Sequence, residues 1–115
     1  MIKFSKRVTN EGTVIFTISF FEAKTNDSVT PKTIKWDLLD ENREVVNDRY
    51  QVNITPASEI DIVLYGDDTS QDDGFIRYLS IFATYDSVQY GNDRPLNGQI
   101  KFLIEKWEET IAPTP

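Results

Sequence analysis

A chain of 115 residues is one domain in size, long enough to bury a core without covalent staples. It has no cysteine and no histidine, which removes disulfides, thiolate metal sites, the commonest general base and the commonest transition-metal ligand. A net charge of −7 argues against nucleic acid or an anionic membrane as partner; its plain role is solubility, its sharper one a surface facing a basic partner.

Residues 2–8 read as a short first strand, basic through Lys3, Lys6 and Arg7. Asn10, Glu11 and Gly12 turn the chain into residues 13–21, where Val14, Phe16, Ile18 and Phe20 alternate with Thr13, Thr17 and Ser19. Successive side chains of a strand point to opposite faces, so this segment has one dry face and one wet face. Residues 22–31 form a polar loop closed by Pro31. Residues 33–39 are a strand with Ile34, Trp36 and Leu38 inward and Lys35 and Asp37 outward. Asp40, Glu41, Asn42 and Arg43 have turn chemistry, and residues 44–47 return as a short strand, making the clearest hairpin in the chain.

Residues 50–54 read as another short strand before the break at Pro56. Residues 59–65 alternate again with Ile60, Ile62 and Leu64 inward, and residues 66–74 are an acidic loop. Residues 75–85 are the longest strand, with two competing phases: Ile76, Tyr78 and Phe82 against Leu79, Ile81 and Tyr85. The second set is expected inward because it lets Ala83 pack closely, and a bulge would reconcile the two. Residues 99–106 close the fold with Ile100, Phe102 and Ile104 inward. Residues 110–115 carry two prolines and read as a tail. No repeat and no linker divides the chain. The expected fold is all-β: two antiparallel sheets on a shared core, about seven strands, spanning residues 1–109.

The residues after Met1 contain no long apolar run, so neither a signal peptide nor a membrane span is expected, and the chain reads as a complete protein made in the cytoplasm. Asp67, Asp68, Asp72 and Asp73 are the only carboxylate cluster to weigh as a calcium site. Their spacing does not match an EF-hand loop, and a solvated turn is the expected reading. No nucleophile–base set, Gly-x-Ser-x-Gly elbow or glycine-rich phosphate loop can be assembled, so no catalysis and no cofactor are expected. Trp36, Phe16 and Phe102 lie in phase with the core, whereas Phe21, Tyr50, Tyr65, Tyr90 and Trp107 fall at strand ends, in loops or out of phase. These five are the interface candidates, since Tyr and Trp dominate binding hot spots. Ile15 and Val63 add apolar surface to nominally wet faces.

The order of strands, Trp36 on the third of them and the tyrosines of residues 75–85 resemble an immunoglobulin-like sandwich without its disulfide. Residues 29–42 (VTPKTIKWDLLDEN), residues 60–68 (IDIVLYGDD), Arg77-Tyr78-Leu79 and Thr84-Tyr85-Asp86-Ser87 carry a more specific likeness, completed by Pro95-Leu96 and Phe102-Leu103-Ile104-Glu105. Over residues 12–106 the chain resembles small immunoglobulin-like virion structural proteins of tailed bacteriophages. The basic first strand and the proline-containing tail depart from that pattern, and either one would be a candidate docking arm. The resemblance implies a non-catalytic protein decorating or stabilising the capsid. Its partner would be the major capsid protein or another virion protein, with self-association as a further option. It would be located in the virion after synthesis in the bacterial host cytoplasm. The alternatives are a head–tail connector or tail accessory component, and a carbohydrate- or cell-surface-binding module.

Overall fold

The computed structural model describes residues 1–8, 13–22, 24–70, 72, 74–87 and 90–104. Seven strands lie among them: β1 (Ile2–Val8), β2 (Val14–Phe20), β3 (Thr33–Leu39), β4 (Val52–Ile54), β5 (Glu59–Leu64), β6 (Ile76–Ser87) and β7 (Gly91–Leu103). They form two sheets, of order β1-β2-β5 and β4-β3-β6-β7, and every pairing is antiparallel. The protein is an immunoglobulin-like antiparallel β-sandwich with no disulfide.

Alternation builds the core. Val14, Phe16, Ile18 and Phe20 of β2 and Ile60, Ile62 and Leu64 of β5 face Ile34, Trp36 and Leu38 of β3 and Leu79, Ile81 and Ala83 of β6. Phe16 and Phe102 meet edge to face with centroids 4.8 Å apart, across the two sheets. The phase of β6 follows the Leu79–Ile81 set, and Phe82 is left exposed on the outer face. The register shift of β6 lies at Tyr85/Ser87, beyond both sets, so it does not reconcile them.

Three elements depart from the expected boundaries. Residues 44–47 do not form a strand: Asp40 donates its N–H to the Glu44 carbonyl, Val46 donates to Leu38, and one isolated bridge joins Leu39 to Val45. Asn47 and Asp48, with φ of 53° and 57°, then bulge the chain away, the Leu38 N–H is taken up by the Arg49 carbonyl, and regular ladder pairing resumes at β4. The last strand begins at Gly91, eight residues before the expected start at Gln99, because the long β6 offers a partner to a stretch that carries no alternation. Pro95 fits there because β7 is an edge strand, where a missing N–H breaks no ladder bond on the open side. Tyr65 lies past the end of β5 and opens a single 3-10 turn, Gly66–Thr69. The tail of residues 110–115 lies outside the described residues.

The topology defines two ends. One gathers the ends of β1, β3, β5 and β7, the start of β6, residues 40–51 and the 3-10 turn; it is called here the Asp68 end. The opposite, Lys32 end gathers residues 21, 22 and 24–32, the end of β6 and the start of β7.

Candidate functional surface

The acidic loop is solvated at Asp67 and Asp72 but not at Asp68. Asp68 has no exposed surface, and its carboxylate accepts from Arg49 Nε (2.7 Å) and Nη2 (3.1 Å), Asn47 Nδ2 (2.9 Å) and the Tyr65 backbone N–H (3.2 Å). Burial alone would push the Asp68 carboxyl up. The hydrogen bonds from Arg49, Asn47 and Tyr65, with the charge of Arg49, outweigh burial and hold it below the ordinary carboxylate range. Arg77 is equally buried and spends its guanidinium on backbone: Nε donates to the Asp68 carbonyl, Nη1 to the Gly74 and Ile76 carbonyls, and Nη2 to Ser70. One arginine thus holds the loop's backbone while another holds its buried acid. The alternation that turns Leu79 and Ile81 inward turns Arg77 inward as well, which is the one signal of this network in the sequence.

Both oxygens of Asp68 are therefore committed to protein donors, whereas Asp67 and Asp72 are exposed and Asp73 lies outside the described residues. Among the described residues no group of three or more acidic side chains converges as a metal site, and no buried side-chain polar atom lacks a hydrogen-bond partner. That leaves no unpaired polar group aimed into a cavity.

The aromatic candidates separate. Phe21 is half-buried, with the Lys3 ammonium 5.6 Å from its ring centroid. Tyr50, Tyr65 and Tyr90 are exposed, at 64%, 58% and 54%, and Trp107 lies outside the described residues. Tyr50 and Tyr65 belong to the Asp68 end; Tyr90 belongs to the other. Sequence reasoning did not single out Phe75, Leu103, Val8 and Val45, which are exposed at the Asp68 end too. With Val63, that end carries seven of the ten exposed large hydrophobic residues among those described. Ile15, beside Val63 in the sheet, is half-buried.

The Lys32 end carries a charged cluster on its surface. Lys32 Nζ reaches Asp86 Oδ1 (3.2 Å) and Asp93 Oδ1 (2.5 Å), and the Asp93 N–H donates to Asp86. The Asp93 and Asp86 partners raise the Lys32 ammonium pKa, and the Asp93 N–H and Lys32 lower that of the Asp86 carboxyl. Beside this cluster an open groove of about 380 Å³ runs between residues 22–29 and Tyr85, Asp86 and Ser87. Most of its lining residues carry hydroxyl or charged groups, but the larger part of its exposed wall is apolar, from Val29, Tyr85 and the carbon stems of the polar residues.

The chain matches no protein-family model, and no curated protein or solved structure is significantly similar to it.

Proposed function

We propose that this chain is a non-catalytic virion structural protein of the immunoglobulin-like kind found in tailed bacteriophages, docking on the major capsid protein or another virion protein through its Asp68 end. The observation that carries the reading is the gathering of exposed Tyr50, Tyr65, Phe75 and Leu103, with Val8, Val45 and Val63, at one end of a sandwich whose other end exposes only Met1 and Tyr90 of the described large hydrophobic residues. Concentrated exposed apolar surface on a small domain marks an interaction site. Burying it against a partner contributes about 25 cal/mol per Å², with tyrosines as anchors.

Rigidity supports the same reading. The Tyr65 N–H is bonded to Asp68, the Phe75 carbonyl accepts from Ile104, and the Gln51 N–H beside Tyr50 donates to Asp37 at 2.6 Å. Anchors held this way lose little backbone freedom on docking. The described buried charges hold backbone and one another: Arg77 and Asp68 the loop, Asp37 the Gln51 N–H, which suits a platform better than a reaction centre. The likeness of residues 29–42 and 60–68 to phage proteins supplies the class of assembly.

The test counts this chain in purified virions by quantitative gel. Decoration predicts hundreds of copies per particle and a connector about a dozen, following the symmetry of each site; its absence from virions ends the proposal. The double variant Tyr65→Ser/Leu103→Ser should keep its melting temperature and lose particle binding at least tenfold. A glycan-array signal abolished by Tyr90→Ala would instead favour sugar binding at the Lys32 end.

A further inference from the structure

Among the described residues each sheet has two edge strands with no ladder partner on one side, and the four differ in what they can accept. β4 is three residues long, and β7 carries Pro95. A short strand and an edge proline both discourage strand addition. The edges of the three-stranded sheet, β1 and β5, lack those guards and carry opposite charge. On β1 the exposed side chains include Lys3, Lys6 and Arg7; on β5 they are Glu59, Asp61 and Val63.

The registers place these charges level with one another on the outer face. Lys3, Ser19 and Glu59 form one row, Ser5, Thr17 and Asp61 the next, and Arg7, Ile15 and Val63 the third. Hydroxyls of the middle strand hold the acids in place: Thr17 Oγ1 donates to Asp61 at 2.7 Å and Ser19 Oγ to Glu59 at 3.2 Å. Lys3 stays on the same face through Phe21.

We propose that copies of this chain associate head to tail through these edges, β5 of one copy lying parallel to β1 of the next. β1 and β5 both run antiparallel to β2 and so point the same way, and a copy shifted sideways continues the sheet without a change of face. With the rows kept level, Lys3 meets Glu59, Ser5 meets Asp61, and Arg7 covers Val63 while reaching Asp61 diagonally. Two-fold pairing is disfavoured, since β1 against β1 opposes cations and β5 against β5 opposes carboxylates. The resulting contact is heterologous, so it extends into a filament or closes into a ring. It does not depend on the virion reading or on the apolar end.

Sedimentation velocity of the full chain from about 10 µM to 1 mM tests it in about 0.1 M salt, where net repulsion between copies is screened beyond about 10 Å but contact pairs survive. Wild type should show mass-action growth to larger species. Lys3→Glu alone and Glu59→Lys alone should each weaken association at least tenfold. Their equimolar mixture, and the chain carrying both changes, should recover it to within about twofold. In the mixture each chain carries like charges at positions 3 and 59, so recovery there can come only from contact between copies. Wild type that stays monomeric at 1 mM overturns the proposal. So does association that the single variants leave unchanged, or a swap that restores nothing in variants whose near-UV spectra show the native fold.

Discussion

The two ends of the sandwich use charge in opposite ways. At the Asp68 end a carboxylate and an arginine with no exposed surface lock a loop from inside, and the outside is left apolar. At the Lys32 end one lysine bridges two aspartates on the exposed surface. On paper the Lys32 cluster has the more ion pairs, yet burial decides which set the fold needs. A buried acid or cation stripped of its partner bears its whole desolvation cost, whereas water replaces the partner of an exposed one.

The largest expected effect comes from Arg77→Met. It leaves the buried carbonyl of Asp68, and those of Ser70, Gly74 and Ile76, without this donor, and should cost about 3 kcal/mol or more in urea unfolding. A loss under about 1 kcal/mol would mean that water enters and satisfies the loop, and the contrast between the ends would collapse.

Asp68→Asn should cost about 2 kcal/mol, since Arg49 keeps some contact with solvent. It also changes the pH profile. The folded carboxyl titrates below its unfolded value of about 3.9, so its stabilisation is fully present above that pH and is lost as the pH falls through the folded pKa. Wild type should therefore lose more stability than the variant between pH 6 and pH 3. Equal acid losses in the two proteins would assign the limb to other groups. Asp86 titrates low as well, but it is exposed, and salt should flatten its share.

The smallest effect is expected from Lys32→Ala, whose melting temperature at moderate salt should match wild type within measurement error. A clear drop that persists in 1 M salt would show that the bridge between residues 21–32 and the β6–β7 hairpin is more than a surface pairing.

Legibility followed physical locality. β2, β3 and β5 could be read almost to the residue because a period of two against a dry core is written in neighbouring positions. Residues 91–98 could not, because Asn92, Asp93, Arg94 and Pro95 become strand only by lying against β6, a partner the local sequence does not contain. Residues 44–47 failed in the other direction: their turn chemistry was sound, but two left-handed residues after Val46 broke the regular ladder. Of the candidate surface, Tyr50 and Tyr65 were visible as aromatics out of phase. Their company with Phe75 and Leu103 was not, since four separate segments must converge to make it.

By itself the sequence determined an all-β sandwich, most of its core and the inward phase of β6, since each rests on side chains a few positions apart facing water or one another. Tertiary structure decided which charges are structural. Arg49, Asp68 and Arg77 become one brace only when β6, the 3-10 turn and residues 40–51 meet at the same end, and removal from water there turns ordinary surface residues into the groups the loop cannot do without.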